Sequence, residues 1–218
     1  MLIVQCDFDD TITIGNVSTA IRTAFLTDNK WRQVEEKYLS GECSVEESNR
    51  EQFSMMKTTE KDIEHFVLKN VVIREGFKNF VKLCQKINIR FVIVSSGLDL
   101  YIKPLIEKLN LGRIEVYSAK STITPLGLNI KYTDPHGSPI LHGFKDSFVK
   151  HFKSSGDTVV YIGDDRSDIN PANQADFVIA RSTLAEHMEY NSIEYHQFNT
   201  FDDVSSLVGE ILKTYKTH

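Results

Sequence analysis

The chain is expected to belong to the α/β class, as an open, doubly wound parallel sheet with a helical cap inserted after the first strand. Three observations predict this. Short Val- and Ile-rich runs without polar alternation recur along the chain, the pattern of strands buried on both faces of a parallel sheet. Segments with apolar residues at helical spacing separate them. Between Ile14 and Ile73 that rhythm stops and only helical patterns remain.

The first strand is Leu2-Ile3-Val4-Gln5-Cys6, which runs into Asp7. Helices are predicted over Val17–Leu26, Trp31–Leu39, Val45–Met56 and Glu60–Leu68, with Ser44 and Thr58-Thr59 as N-caps of the last two. Phe77, Phe80, Val81 and Cys84 mark one face of the next helix. The strand Phe91-Val92-Ile93-Val94 follows and ends at Ser95-Ser96-Gly97. Leu100, Ile102, Leu105, Ile106 and Leu109 form another helical stripe. Glu115–Tyr132 reads as short strands and Asp134–Pro139 as a Pro/Gly loop. Phe144, Phe148 and Phe152 repeat every fourth residue ahead of the strand Thr158–Ile162, which ends at Gly163-Asp164-Asp165. The strand Phe177-Val178-Ile179-Ala180 ends at Arg181-Ser182. The resulting division is a core of residues 1–13 and 74–218 and a helical cap of residues 14–73.

Composition narrows the function. Apolar residues make up 41% of the 218, enough to bury a sizeable core and too many for a disordered chain. Lys and Arg number 25 against 30 Asp and Glu, a formal charge of -5. Such a surface argues against nucleic acid or an anionic membrane as partner, yet leaves room for a small anion where positive groups converge. No stretch approaches the roughly 20 apolar residues of a membrane span, and Met1–Cys6 lacks the basic start of a secretion signal. Cys6, Cys43 and Cys84 are far apart and form no C-x-x-C pair, so they read as reduced thiols of a cytoplasmic protein. Oligomeric state is left open.

The chemistry concentrates at the strand ends. Asp7 and Asp9 stand at i and i+2 in Asp7-Phe8-Asp9-Asp10-Thr11, so in an extended segment their side chains point the same way. Two carboxylates held together need a cation between them or a retained proton. Either solution suits a nucleophile beside a general acid/base with a divalent metal. A bare D-x-D reads first as a solvated acidic turn; three further elements outweigh that. Ser95, with Ser96 and Gly97, can hold phosphate oxygens through a hydroxyl and backbone amides. Lys145, following Gly143, can neutralise phosphate near a helix N-terminus. Asp164 and Asp168, in Gly163-Asp164-Asp165-Arg166-Ser167-Asp168, add oxygen ligands of the kind Mg²⁺ takes.

In this order, the four elements resemble the haloacid dehalogenase superfamily of aspartate-nucleophile phosphatases, over nearly the whole chain. The resemblance implies a Rossmann-like core, magnesium, and an aspartyl-phosphate on Asp7, with Asp9 as acid/base and its backbone carbonyl as a metal ligand. It also implies phosphate contacts from Thr11, Ser95 and Lys145, metal ligation by Asp164, and a supporting role for Asp168. The cap position is similar to the phosphoserine phosphatase branch. Ile73-Arg74-Glu75-Gly76-Phe77 and Val94-Ser95-Ser96-Gly97-Leu98-Asp99 are similar to the methylthio-ketopentenyl-phosphate phosphatases of methionine salvage. The implied substrate is a small phosphorylated metabolite. Serine phosphatases carry a glutamate and an arginine where this chain has Asn16 and Gln52, with Arg50 nearby, so phosphoserine is expected to be a poor substrate. Asp165 stands where a glycine is common.

Two other classes share parts of the pattern. A receiver domain also surrounds an aspartyl-phosphate with acids, Ser/Thr and Lys, but its acceptor follows a later strand. A phosphotransferase would share every residue named. Elsewhere, His136 and His142 flank a loop with Asp134, and Met55-Met56 lie in the cap; loop and packing roles are expected for them.

Overall fold

The computed structural model describes residues 1–215, so the last three positions of the expected core, 216–218, lie outside the described residues. In chain order the elements are β1 (Leu2–Cys6), β2 (Thr13–Ile14), α1 (Val17–Phe25), α2 (Lys30–Ser40), α3 (Val45–Ser54), α4 (Glu60–Asn70), β3 (Val72–Ile73), α5 (Phe77–Lys86), β4 (Arg90–Leu98) and α6 (Asp99–Lys108). There follow β5 (Glu115–Thr124), β6 (Gly127–Thr133), β7 (Pro139–Ile140), α7 (Phe144–Ser154), β8 (Thr158–Gly163), α8 (Ile169–Ala172), β9 (Phe177–Ala180), α9 (Ser182–Tyr190), β10 (His196–Gln197) and α10 (Phe201–Tyr215). A 3₁₀ turn over Arg166–Asp168 leads into α8.

Eight strands form one sheet in the order β10-β9-β8-β1-β4-β5-β6-β7. Pairing is parallel from β10 through β5 and antiparallel from β5 to β7. Every residue of β1 is buried; because successive side chains point to opposite faces, both faces of the sheet are covered there. Cys6 pairs with Ile93 of β4 and with Ile162 of β8. The three central strands therefore end on one edge, and Asp7, Ser95 and Asp164 meet there.

The helices follow from the apolar stripes. Phe77, Phe80, Val81 and Cys84 of α5 are all buried, and Phe77 meets Phe201 of α10 edge-on at 5.0 Å. Phe144, Phe148 and Phe152 line the buried face of α7, which lies against β4 and β8. The stripe in α6 differs from expectation: Tyr101, not Leu100, shares the buried face with Ile102, Leu105 and Ile106.

β2 and β3 form a separate antiparallel ribbon, Thr13 opposite Ile73, and α1–α4 lie between its strands in sequence. Ser44 and Glu47 make a reciprocal capping box at α3, Thr59 caps α4, and Asn16 caps α1. Three other expectations shift. Glu115–Tyr132 folds into a long hairpin, β5 and β6, rather than short strands. Most residues of β5 are half-buried or exposed, and β6 alternates buried Leu128, Ile130 and Tyr132 with exposed Asn129 and Lys131, so no uninterrupted apolar run marks them. Pro139 leaves the loop to begin β7, and Ser95-Ser96-Gly97 remain within β4. No helix among the described residues is long and apolar enough to cross a membrane.

Candidate active site

Asp7 leaves β1 with its amide donating to Ile162 O at 2.9 Å, which sets its carboxylate beside the end of β8. Lys145, the second residue of α7, reaches back into the same place. Its Nζ lies 2.6 Å from Asp7 Oδ1 and 2.6 Å from Asp168 Oδ1. Gln5 fixes the lysine's backbone by donating to Lys145 O at 3.1 Å. Burial alone would strip the ammonium of its proton, but Asp168 and Asp7 together hold its pKa well above the ordinary lysine range.

Asp168 is fully buried and fully engaged. Oδ1 accepts from Lys145 Nζ and from Tyr161 Oη (2.6 Å), and Oδ2 accepts from the amides of Asp164 and Asp165, both at 3.0 Å. The carboxyl presses so close to Gly163 that a Cβ there would lie 2.6 Å from Asp168 Cγ, which is why the strand ends on glycine. Asp168 thus holds Lys145 and the loop that carries Asp164.

Thr11, expected on the phosphate, is turned elsewhere: its buried hydroxyl donates to Asp164 Oδ1 at 2.7 Å and orients that carboxylate. Gly97 also departs from expectation. Its amide, expected to face phosphate, donates to Ser95 Oγ at 3.0 Å and so orients the Ser95 hydroxyl. Its missing side chain matters more, since a Cβ at Gly97 would lie 1.9 Å from Tyr101 Oη. That hydroxyl donates to Asp9 Oδ2 at 2.5 Å, whereas Asp9 Oδ1 is buried without a partner. Burial pushes the Asp9 carboxyl up to about 6 against the pull of the tyrosine bond. Ser96 Oγ is likewise buried and unpartnered.

One oxygen each of Asp7, Asp164 and Asp168 lie within 4.8 Å of one another. Three buried carboxylates against one buried lysine leave an excess of two negative charges when all are ionised. A divalent cation balances that excess, and an all-oxygen donor set suits Mg²⁺. Without one, burial raises Asp7 to about 7 and drives Asp164 well above its ordinary value, each carboxylate adding to the other's repulsion. The residues fit the ion. Since Asp168 has its lone pairs engaged by protein donors, Asp7 and Asp164 are the side chains that would hold it. The Asp9 side chain is outside this cluster and faces Tyr101. Asp165 lines the cavity, its carboxyl raised by burial.

These groups open into a cavity of about 60 Å³ lined also by α1–α3. Ser95, Ser96, Gly97, Asp7, Asp9 and Lys145 form its floor; Asn16, Ser18, Arg22, Glu35, Tyr38 and Asn49 are among its other walls. Of the cap residues singled out in the sequence, Asn16 reaches the cavity and Gln52 does not: its amide donates to Glu35 and Ser48. Arg50 is no substrate ligand. Its guanidinium donates to Ile140 O (2.7 Å) and Leu141 O (2.9 Å) and stacks on Tyr132. Met56 is core, and Asp134 organises its own turn by accepting from the amides of His136 and Ser138.

Arg22, Glu35, Asn49 and Tyr101 went unread in the sequence. One signal was present: Arg22 lies on the same face of α1 as Val17, Ser18 and Ile21, a cation where an apolar residue belongs. The expectation against phosphoserine rested on uncharged Asn16 and Gln52, whereas Arg22 and Glu35 bring charges of both signs to the cavity.

Comparison with known proteins agrees with this arrangement. A curated 2-hydroxy-3-keto-5-methylthiopentenyl-1-phosphate phosphatase of Bacillus pumilus (strain SAFR-032) is 28% identical over 213 residues, 96% of this chain and 91% of that protein. One of the same name from Bacillus cereus (strain B4264) is 30% identical over 214 residues, covering 96% and 97%. A solved substrate-bound phosphoserine phosphatase superposes with a TM-score of 0.69 at 17% identity, over 94% of this chain and 97% of that one, a likeness of fold. The family model described as haloacid dehalogenase-like hydrolase matches residues 4–172, and the chain belongs to that family, as one of its phosphatases.

Proposed function

We propose that the protein is a magnesium-dependent phosphomonoesterase that works through an aspartyl-phosphate on Asp7. Residues 14–73 serve as a cap over a core of residues 1–13 and 74–218. The observation that carries this reading is the contact of Asp7 with Lys145 at 2.6 Å, beside the unpartnered Oδ1 of Asp9. A nucleophile, a phosphate-binding cation and an acid/base line one cavity.

The Asp7 carboxylate attacks phosphorus and the bond to the ester oxygen breaks, with Asp9 giving its proton to the departing alcohol. In the second half Asp9 takes a proton from the water that attacks phosphorus, the bond from phosphorus to the Asp7 oxygen breaks, and inorganic phosphate leaves with the carboxylate restored. Lys145 and the Ser95 hydroxyl balance charge on the phosphoryl oxygens, where positioning and electrostatics do most of the work. Bound at Asp7, Asp164 and the Asp9 carbonyl, magnesium would neutralise phosphoryl charge and let both carboxylates stay ionised.

The proposed substrate is 2-hydroxy-3-keto-5-methylthiopentenyl 1-phosphate, after the Bacillus relatives that align along almost the whole chain. Phosphoserine is the second reading, favoured by the Arg22 and Glu35 charges in the cavity. Phosphate release from both, with Mg²⁺ present, tests the proposal. Asp7→Asn is expected to fold and to lose more than about 10³-fold in kcat, because an amide forms no acyl-phosphate. Wild-type turnover by a folded Asp7→Asn protein would overturn the mechanism.

A further inference from the structure

Beyond the phosphate floor, most of the residues that line the cavity are polar, and one among them is poorly satisfied. Arg22 is 4% exposed. Its Nη1 makes two long bonds, to Ser18 Oγ and Asn49 Oδ1, both 3.3 Å. Nη2 donates to Thr19 Oγ1 at 2.9 Å and stands 3.4 Å from Glu35 Oε2. Nε has no partner, nor does the nearby cavity-lining Tyr38 hydroxyl. The guanidinium lies against the rings of Trp31 (5.7 Å) and Phe53 (5.6 Å), which fix its plane and keep water from it.

A buried guanidinium is costly unless its N–H groups find acceptors. Its nearest carboxylate, Glu35, is itself shared, accepting from Gln52 Nε2 at 2.7 Å. For packing alone, an apolar side chain between Trp31 and Phe53 would serve better. Arg22 keeps its charge in the wall of the same cavity that Asp7, Asp9 and Ser95 line, the space open to the leaving group of a phosphoester held at Asp7. Tyr38 adds a second donor there. The site is thus built to give hydrogen bonds to a ligand that brings its own oxygen acceptors.

We propose that Arg22 is a specificity-determining residue that reads a carbonyl or carboxylate oxygen on the leaving group, so that the substrates are phosphoesters of oxo- or carboxy-bearing alcohols rather than of plain alkyl alcohols. This deepens the phosphatase reading and rests on it. The two acceptor sources are told apart by using one probe of each.

The test compares three short esters: dihydroxyacetone phosphate (keto), phosphoglycolate (carboxylate) and propyl phosphate (neither). Wild type is expected to favour one oxygenated ester over propyl phosphate by about 10–100-fold in kcat/KM, the worth of a hydrogen bond to a charged donor. The ester favoured identifies the acceptor. Arg22→Gln should collapse that ratio toward unity, and Arg22→Lys should restore part of it. Thermal unfolding of each variant shows whether it is folded. A uniform loss on all three esters, leaving the ratio unchanged within twofold, overturns the proposal, as does a wild type indifferent to the oxygen.

Failure of the underlying reading looks different: no ester releases phosphate. Calorimetric binding of the same three esters to the Asp7→Asn protein then decides, with and without Arg22→Gln. Selective loss of affinity for the oxygenated esters supports the assignment, and equal affinities sink it.

Discussion

Asp9 shows how much one neighbour can matter. In the proposed mechanism this carboxyl protonates an alcohol and later activates water, which needs a fixed orientation, and Tyr101 holds one of its oxygens at 2.5 Å. The other oxygen is buried without a hydrogen-bond partner, in a residue that lines the cavity. Tyr101 is itself fully buried and packed against Phe8 with ring centroids 6.4 Å apart. Tyr101→Phe keeps that packing and removes only the donor. Turnover of an alkyl phosphate is expected to fall about tenfold or more, the scale of one hydrogen bond to a charged group. A p-nitrophenyl ester, whose leaving group needs little protonation, should lose less. Equal losses on the two esters would reduce Tyr101 to a structural residue. The backbone shows the same economy at Asp10, which adopts φ 54°; Arg74 and Arg181 both donate to its carbonyl oxygen, at 2.6 and 2.7 Å. Asp tolerates this left-handed conformation better than most side chains.

At the scale of elements, legibility in the sequence follows burial. β1, β4, β8 and β9 were readable because their residues are buried on both faces, and their ends pointed to Asp7, Ser95 and Asp164. Lys145 was readable from the start of a Phe-striped helix. The β5–β6 hairpin was not, since half-exposed strands at a sheet's edge mix polar with apolar residues. Nor were Arg22, Asn49 and Tyr101, because a pattern reading sends polar helix residues to solvent, and these turn inward. Arg50 is the opposite case: noted in the sequence only for lying near Gln52, it is a tie between α3 and the main chain at β7. Asn49, one residue earlier, fastens α3 to Ser96 O at 2.9 Å. Arg50→Ala should therefore loosen α3, seen as faster amide exchange across Val45–Ser54 and a lower Tm. The inhibition constant of inorganic phosphate should stay as it is in wild type. A weakened phosphate inhibition with unaltered exchange would place Arg50 in the ligand set.

For the whole molecule the decisive quantity is charge. The chain carries a net -5, and its catalytic edge buries Asp7, Asp164 and Asp168 around a single Lys145. Asp7, pushed up to about 7, and Asp164, driven well above its ordinary value by burial, hold protons in the metal-free fold that the unfolded chain releases near its ordinary carboxylate value of 3.8. The sign follows. Stability from these protons is full below about pH 4 and is lost as pH rises through the folded value near 7. Magnesium held by the ionised pair, as proposed, would stabilise in the opposite sense, little in acid and strongly once both carboxylates are charged. The metal-free Tm is therefore expected to decline from pH 5 to pH 8. Saturating Mg²⁺ should restore it at pH 8 far more than at pH 5.5. At a hundredfold excess over its Kd the ion contributes about 2.7 kcal/mol, and roughly 2–4 °C per kcal/mol gives a shift of about 5–10 °C. Asp164→Asn removes one charge of the pair while keeping an acceptor for Thr11. That variant should be more stable than wild type at pH 8 without metal, and Mg²⁺ should barely move its Tm. A magnesium shift equal at both pH values, or one that survives Asp164→Asn, would mean that the ion sits somewhere other than between Asp7 and Asp164.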